Sequence, residues 1–234
     1  MIIITSGRVY SDIDIVASAL LLKSLYDLKG LPAKVVLAGS LNDSVPPLVR
    51  NLGLNFETSL SEDPNSCQFI IVDFSEPKFL PDFVKQENII KVFDHRFLGW
   101  DKYWKDKLGK EAHIEPVGAC ATLIWEEYEK AGLASKIKTV DANLLYIAIT
   151  VHTLNLKSSV TSQRDRNALN SLKPYISLPE NVIEEYYNQV NESFMKDPEE
   201  AMRNDTKIQE IGSVEYGIIQ VELWNSRKFI DEHK

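Results

Sequence analysis

Residues 88–96, NIIKVFDHR, join a run of apolar, β-favouring side chains to an acid, an imidazole and a guanidinium. The run predicts a buried strand that ends at Asp94 and is followed directly by His95 and Arg96. Open parallel sheets bind their ligands at the carboxyl ends of the strands. We therefore expect Asp94, His95 and Arg96 to face a binding site.

The first half of the chain alternates short apolar runs with amphipathic stretches. The other predicted strands are MIIIT (1–5), AKVVLAG (33–39) and CQFIIVDF (67–74), and the predicted helices between them span 15–29 and 45–52. The second helix is expected to begin after Asp43 or Ser44 as its cap. This alternation predicts an α/β fold, in which a doubly wound, mainly parallel sheet carries helices on both faces.

From residue 117 onwards the pattern is mainly helical. The predicted helices are VGACATLIWEEYEKAG (117–132), VDANLLYIAITVHTLN (140–155), TSQRDRNALNSL (161–172) and ENVIEEYYNQVNESF (180–194). The polar stretch at 195–205 is the best linker candidate, and the alternating residues after it predict a β-hairpin in a second unit. We therefore predict a domain at 1–190, a linker at 191–204 and a small, truncated α+β segment at 205–234.

Composition limits the classes of partner. Lys and Arg number 26 against 34 Asp and Glu, and the formal charge of -8 argues against binding to a nucleic acid duplex. Cys67 and Cys120 lie in apolar surroundings without a CxxC pair, which predicts buried thiols in a reducing compartment. The chain shows no signal peptide and no apolar run of membrane-spanning length, so we expect a cytoplasmic protein that binds no membrane.

Acidic residues follow several of the predicted strands. Asp12 and Asp14 come after the first strand, Asp73 ends the third, and Asp94 with His95 ends the fourth. Carboxylates that converge at one sheet edge repel one another unless a cation lies between them or their pKa values rise. Oxygen ligands with an added imidazole suit Mn²⁺ or Mg²⁺. Taken singly, each acid is more readily explained as a helix cap or the start of a turn than as a metal ligand. Four polar strand ends on one edge of a sheet together favour the metal role.

Five segments resemble the DHH phosphoesterase superfamily in their order and spacing: SDIDIVASAL (11–20), VDF (72–74), DHR (94–96), EPVGACATLI (115–124) and HTLNLKSSVTSQRD (152–165). Within it, the chain most resembles the branch of manganese-dependent family II inorganic pyrophosphatases and exopolyphosphatases. The resemblance covers most of residues 1–207. It implies an N-terminal domain that holds two metal ions and a smaller C-terminal domain that closes over a phosphate substrate. Relatives are often dimers, so a homodimer is also implied.

The resemblance implies a set of metal ligands. Asp12 matches a ligand of one metal ion and Asp14 a ligand of the other, while Asp73 bridges them. His95 matches a ligand of the second ion, and Asp94 is expected to support it from behind. The implied cofactor is Mn²⁺, or alternatively Mg²⁺ or Co²⁺, as one or two ions.

Three ligand or signature positions depart from the family pattern, and Ala119 stands where many members have serine. His152 stands where many members carry an aspartate ligand, and neutral imidazole can also bind these ions. Arg8 replaces a histidine ligand and cannot bind a metal, because its guanidinium stays protonated. Arg96 replaces the third signature residue, as in the prune-like exopolyphosphatases. Both arginines can either bind phosphate or pair with carboxylates at metal sites that they leave empty.

Two further residues match phosphate-binding positions. Lys207 falls on a substrate-binding lysine of the family, and together with Arg96 it is expected to neutralise charge on the phosphates during the reaction. Gly118, before a predicted helix, gives a phosphate access to backbone N–H groups, although close helix packing explains a glycine there equally well.

Two hypotheses of function follow. The first is a divalent-metal-dependent hydrolase that cleaves a phosphoanhydride, such as pyrophosphate or short polyphosphate, or a small phosphoester. The second is a non-catalytic relative that binds phosphate, a nucleotide or a protein partner, with Arg8 or Arg96 paired to Asp12 or Asp73. A dinucleotide-binding oxidoreductase is poorly supported, because no GxGxxG follows the first strand.

Overall fold

The computed structural model describes residues 1–97, 99–204, 206–219 and 226–232. The strands are β1 (Ile2–Thr5), β2 (Tyr10–Ser11), β3 (Ala33–Val35), β4 (Ser40–Leu41), β5 (Gln68–Val72), β6 (Ile89–Asp94), β7 (Ala112–Ile114), β8 (Thr206–Ile211) and β9 (Val214–Ile219). The helices are α1 (Ile13–Leu28), α2 (Pro47–Arg50), α3 (Trp100–Leu108), α4 (Cys120–Lys130), α5 (Thr139–His152), α6 (Gln163–Leu172), α7 (Val182–Lys196), α8 (Pro198–Asn204) and α9 (Ser226–Glu232). None of these helices is long and apolar enough to cross a membrane.

The main sheet is parallel, with the strand order β3-β1-β5-β6-β7. Successive residues of its central strands face opposite sides, so that Ile4 and Ile70 join one buried cluster while Ile3 and Ile71 join another. Helices α1, α4 and α5 supply the first cluster, and α3 supplies the second through the fully buried Trp104. This arrangement confirms the predicted α/β fold with helices on both faces.

Several local predictions differ from the structure. The strand β7 and the helix α3 were not predicted, because β7 is only three residues long and Trp104 is the one fully buried residue of α3. The predicted cap of α2 is wrong: Pro46 precedes the helix without a side-chain hydrogen bond, and Pro47 begins it. Proline disfavours helical backbone in the residue before it, so the helix cannot begin at Val45. Ser44 instead accepts a hydrogen bond from the Ile13 N–H at 2.9 Å.

The polar segment predicted as a linker is helical up to residue 204. Helix α7 extends to Lys196, and α8 follows after Asp197. The predicted hairpin is present as the antiparallel pair β8 and β9, which turns at Gly212 with a φ of 68°. The division into domains at 1–190 and 205–234 stays a prediction. Cys67 and Cys120 are buried free thiols, as predicted.

Candidate metal centre

The candidate centre lies at the carboxyl ends of β1, β5 and β6. Asp12 and Asp14 lie at the start of α1, Asp73 directly follows β5, and His95 directly follows β6. The strand β3 lies on one side of β1, and the later strands β5, β6 and β7 lie on its other side, so the strand order reverses between β1 and β5. Open α/β sheets bind ligands at such a reversal. The last residue of α5, His152, completes the group: one ligand atom each from Asp14, Asp73, His95 and His152 lies within 4.8 Å of the others.

Asp14 is held rigidly by the N-terminus of α4. Its Oδ2 accepts a hydrogen bond from the Cys120 N–H at 2.7 Å, and its Oδ1 accepts one from the Ala121 N–H at 2.8 Å. The partial positive charge of a helix N-terminus favours a carboxylate there. Burial nevertheless raises the pKa of Asp14 to about 6, an effect that His152 opposes and Asp73 reinforces.

Asp12 has a different position from Asp14. It is the N-cap of α1, and its Oδ1 accepts a hydrogen bond from the Ile15 N–H at 2.9 Å. Asp12 is also outside the set of four residues whose ligand atoms are mutually close. The capping role that the sequence left open for Asp12 or Asp14 therefore falls to Asp12.

Asp73 lies at a sharp turn where the backbone leaves β5. Its φ is 48°, in the left-handed region, which Asp and Asn enter more readily than most residues. The side chain is fully buried, and its Oδ2 has no hydrogen-bond partner in the described structure. Burial would raise the pKa of this carboxyl, but the positive charge of Arg96 and the contact with His95 hold it well below its ordinary value.

His95 is oriented by a backbone carbonyl. Its Nδ1 lies 3.2 Å from the Val117 oxygen, and its Nε2 points towards Asp73 Oδ1 at 3.3 Å and Asp14 Oδ2 at 3.9 Å. The Nε2 atom is buried, and its contact with Asp73 does not have hydrogen-bond geometry. Burial lowers the pKa of His95, but the contact with the Asp73 carboxylate outweighs it and raises the pKa to about 9.

His152 approaches the cluster from the helical side. Its Nε2 lies 3.7 Å from Asp14 Oδ2, and its ring lies edge-on to the His95 ring, with centroids 5.6 Å apart. The chain then turns sharply, with positive φ at three consecutive residues, 154–156. Thr153 stabilises this turn, because its hydroxyl donates to the Ile149 carbonyl and accepts from the Leu156 N–H.

Arg96 lies against two of the strand-end carboxylates. Its Nε donates to Asp94 Oδ1 at 3.2 Å, and its Nη2 donates to both the carbonyl oxygen and Oδ1 of Asp73, the latter at 3.0 Å. Asp94 also accepts hydrogen bonds from the backbone N–H groups of His95 and Arg96. Asp94 therefore shapes the turn after β6 and holds Arg96, whereas the His95 ring is held by Val117.

Arg8 and Arg96, for which the sequence left the same two alternatives open, have different environments in the structure. Arg8 forms an ion pair with Asp82 at 2.8 Å, and the Asp82 side chain is 92% exposed. Arg96 alone of the two pairs with a carboxylate of the cluster. Lys207 lies on β8, but its side chain falls outside the described residues.

Gly118 has a packing role in this structure. Its N–H donates to Asp165 Oδ2 at 2.8 Å, and a Cβ at this position would lie 2.6 Å from Thr153 Cγ2. The N–H groups of Cys120 and Ala121, the first two residues of α4, donate to Asp14. The expected phosphate contact at Gly118 does not fit, because protein carboxylates already occupy these donors.

The four clustered residues fit a divalent cation. Asp73 Oδ2 and His95 Nε2 are both buried without a hydrogen-bond partner among the described residues, which is costly unless another group binds there. Carboxylate oxygens and neutral imidazole nitrogens are the donors that Mn²⁺ accepts. The predicted cofactor therefore agrees with the chemistry and the burial of the ligands.

Sequence reasoning missed Asp165 as a residue that supports the centre. This buried carboxylate accepts hydrogen bonds from the Gly118 N–H, the Thr122 hydroxyl, and both the N–H and the hydroxyl of Ser162. It thereby joins the start of α6 to the start of α4, which holds Asp14. The spacing of Ser162 and Asp165, a capping-box pattern, was the available signal.

Sequence comparisons relate this chain to proteins named as manganese-dependent inorganic pyrophosphatases. No family model matches the chain. A Deinococcus radiodurans protein named "Probable manganese-dependent inorganic pyrophosphatase" is 28% identical over 180 residues, which cover 77% of this chain and 55% of that protein. A Methanocaldococcus jannaschii protein named "Manganese-dependent inorganic pyrophosphatase" is 28% identical over 227 residues, covering 93% and 70% respectively. The resemblance to the DHH-type family II branch is confirmed.

Two solved structures share the fold of this chain. A Methanococcus jannaschii structure assigned to the family II inorganic pyrophosphatases has a TM-score of 0.77 and 25% identity, covering 99% of this chain and 75% of that one. An exopolyphosphatase-related protein from Bacteroides fragilis shares the fold, with a TM-score of 0.64 and 16% identity, over 89% and 62% of the chains. The chain spans about half the length of the Deinococcus radiodurans protein that it matches.

Proposed function

We propose that this protein is a divalent-metal-dependent phosphohydrolase that cleaves a phosphoanhydride, such as pyrophosphate or short polyphosphate, or a small phosphoester. One observation carries the proposal: Asp14, Asp73, His95 and His152 converge at the ligand-binding edge of the sheet, with two buried ligand atoms unpartnered. The names of the relatives from Deinococcus radiodurans and Methanocaldococcus jannaschii support the same reaction class.

The chain's own residues supply a preorganised cation site. A bound divalent ion would polarise a phosphate oxygen and activate a water molecule. Asp14 is fixed by two backbone N–H groups, and His95 is oriented by the Val117 carbonyl. Such outer contacts set the direction and basicity of metal ligands. The ligands therefore need little rearrangement to bind the ion.

Arg96 is the cationic residue best placed to contact the phosphate. Its side chain is 28% exposed, and its Nη1 makes no hydrogen bond within the described part of the chain. A guanidinium that is held by carboxylates on one side can still bind a phosphate oxygen on the other. We assign Arg96 this contact, with Lys207 as a second cation whose contribution rests on the family resemblance.

The variant Asp73→Asn tests the proposal. Asparagine tolerates the positive φ at this position, so the substitution changes charge and ligation more than backbone conformation. Wild-type protein should release phosphate from pyrophosphate or tripolyphosphate only with Mn²⁺, Co²⁺ or Mg²⁺, and Asp73→Asn should lower the rate about 100-fold or more. The matched control is Asp106→Asn, an exposed position on α3. Turnover that survives Asp73→Asn or complete chelation would contradict the proposal.

A non-catalytic relative is the second candidate. The observation in its favour is the ion pair between Arg96 and Asp73, which that hypothesis anticipates. It predicts binding of phosphate or a nucleotide by calorimetry without turnover of any phosphoanhydride, at saturating Mn²⁺. The cytoplasmic location and the homodimer expected from the sequence stay predictions under either function.

A further inference from the structure

We infer that Arg96 takes the place of a second divalent cation, so that the centre binds one metal ion per chain. The inference rests on the proposed function, because it concerns the same site, and it specifies how many ions that site holds. Three independent features of the described residues support it.

The first feature is the position of the Arg96 guanidinium. It is held from both ends, by Asp94 at Nε and by Asp73 at Nη2. One of its two acceptors on Asp73 is a backbone carbonyl, and the Arg96 N–H itself donates to Asp94. The guanidinium is therefore fixed by the turn after β6 as well as by charge. It donates to Asp73 Oδ1, so only Oδ2 of that carboxylate is left without a partner for a metal ion.

The second feature is the set of available ligands. The mutually close group among the described residues contains Asp14, Asp73, His95 and His152, which is enough for one ion. Asp12 lies outside that group, and its Oδ1 accepts the hydrogen bond from the Ile15 N–H that caps α1. Arg8 pairs with Asp82 and offers no ligand atom. A second ion would therefore lack a complete set of neutral or anionic donors.

The third feature is the balance of charge. Four buried carboxylates lie at the start of α1 and at the ends of β5 and β6, and they belong to Asp12, Asp14, Asp73 and Asp94. One divalent ion and Arg96 together balance three of these four negative charges. A second divalent ion on Asp73 would lie beside the guanidinium and be repelled by it. Repulsion of this kind disfavours two metal ions even at high Mn²⁺ concentration.

The consequence is a fixed cation that chelators cannot remove. The two positive charges of a second metal ion would be replaced by the single positive charge of a covalently attached guanidinium, which can contact phosphate but cannot activate water. Metal content, and not catalysis, is therefore the direct measurement of this inference.

The test counts Mn²⁺ ions on the 234-residue chain by equilibrium dialysis with elemental analysis, and examines the same samples by electron paramagnetic resonance. Wild-type protein should bind one Mn²⁺ per chain at saturation and give a mononuclear spectrum. The variant Arg96→Gln should gain a second, weaker Mn²⁺ and show exchange coupling between the two ions. The matched control Arg8→Gln removes an equal charge from a residue that does not contact the cluster, and it should keep one ion.

Each result decides the question. Two exchange-coupled ions in wild-type protein, with or without turnover, would overturn the inference while leaving the proposed function intact. A single ion in both wild-type protein and Arg96→Gln would also overturn it, because the arginine would then not be what excludes the second ion. Binding of no metal at all would overturn the proposed function as well. Circular dichroism of each variant establishes that the fold is retained.

Discussion

At the scale of single residues, Gly118 shows how tightly the centre is packed. A Cβ at this position would lie 2.6 Å from Thr153 Cγ2 and 3.1 Å from Asp165 Oδ2. We predict that Gly118→Ala lowers the free energy of unfolding by about 1–3 kcal/mol, because overpacking displaces neighbours that cannot move independently. Urea unfolding followed by circular dichroism measures the change.

The control for this prediction is Gly217→Ala on β9. The nearest atom to its added Cβ is Thr206 Cγ2 at 3.4 Å, an ordinary contact, so we expect a change within about 0.5 kcal/mol. Equal effects at both glycines would show that Gly118 is not under steric constraint.

The sequence predicted which residues lie at the strand ends but not all of their partners. Asp14, Asp73 and His95 follow apolar strands, and chain order alone brings such residues to one edge of a parallel sheet. The pairing of the Arg8 side chain with Asp82, and the hydrogen bond that Asp165 accepts from Gly118, both involve residues far away in the chain. No local pattern distinguishes an arginine that faces Asp82 from one that faces Asp73.

At the scale of elements, the start of α6 determines how the start of α4 is held. Asp165 accepts hydrogen bonds from Gly118 and Thr122 on the α4 side and from Ser162 on its own side. Both carboxylate oxygens of Asp165 accept hydrogen bonds, so the Asp165→Asn variant would place an NH₂ group, itself a donor, against at least one of these donors. We predict a loss of about 1.5–3 kcal/mol in unfolding free energy and up to about 10-fold weaker Mn²⁺ binding, since α4 holds Asp14.

Calorimetric Mn²⁺ titration and chemical unfolding check both parts of this prediction. The matched control is Asn167→Asp, an exposed position on the same helix, which should change neither quantity appreciably. Normal Mn²⁺ affinity in a destabilised Asp165→Asn would show that Asp165 stabilises the fold without positioning Asp14.

Element boundaries were predictable where burial and length agreed. The strands β1, β5 and β6 are apolar runs. The predicted carboxyl ends of β1 and β6 coincide with those in the structure, and that of β5 lies two residues too late. The start of α2 was not predicted, because consecutive prolines at 46 and 47 override the capping preference of Asp43 and Ser44. Short elements such as β7 form because the sheet and α3 bury them, which a local pattern does not reveal.

At the scale of the whole molecule, metal binding and folding should be coupled. The four clustered residues are spread between positions 14 and 152, so the unfolded chain cannot present them together. A cation that binds only the folded state stabilises it by about 2.7 kcal/mol at 100 times its dissociation constant. For a chain of this size, that corresponds to a rise in Tm of roughly 5–11 °C.

The size of this rise should depend on pH. His95 must lose its proton to bind a metal, and its pKa in the metal-free protein is raised to about 9. A proton therefore competes with Mn²⁺ more strongly at pH 6 than at pH 8, so affinity and the Tm increase should both grow as the pH rises towards 9. In the metal-free protein the sign is opposite for this residue: protonated His95 stabilises the fold below about pH 6.5, and that contribution is lost as the pH rises through 9.

Differential scanning calorimetry at pH 6, 7 and 8, with Mn²⁺ or EDTA, measures both effects. Asp73→Asn should show little Mn²⁺-dependent rise at any pH, because it lacks the carboxylate that lies closest to His95 Nε2. A Tm that Mn²⁺ leaves unchanged in wild-type protein would mean that the four residues do not form a cation site. A rise that shrinks with increasing pH would mean that a group other than His95 controls access of the ion, since proton competition at an imidazole can only weaken as protons are removed.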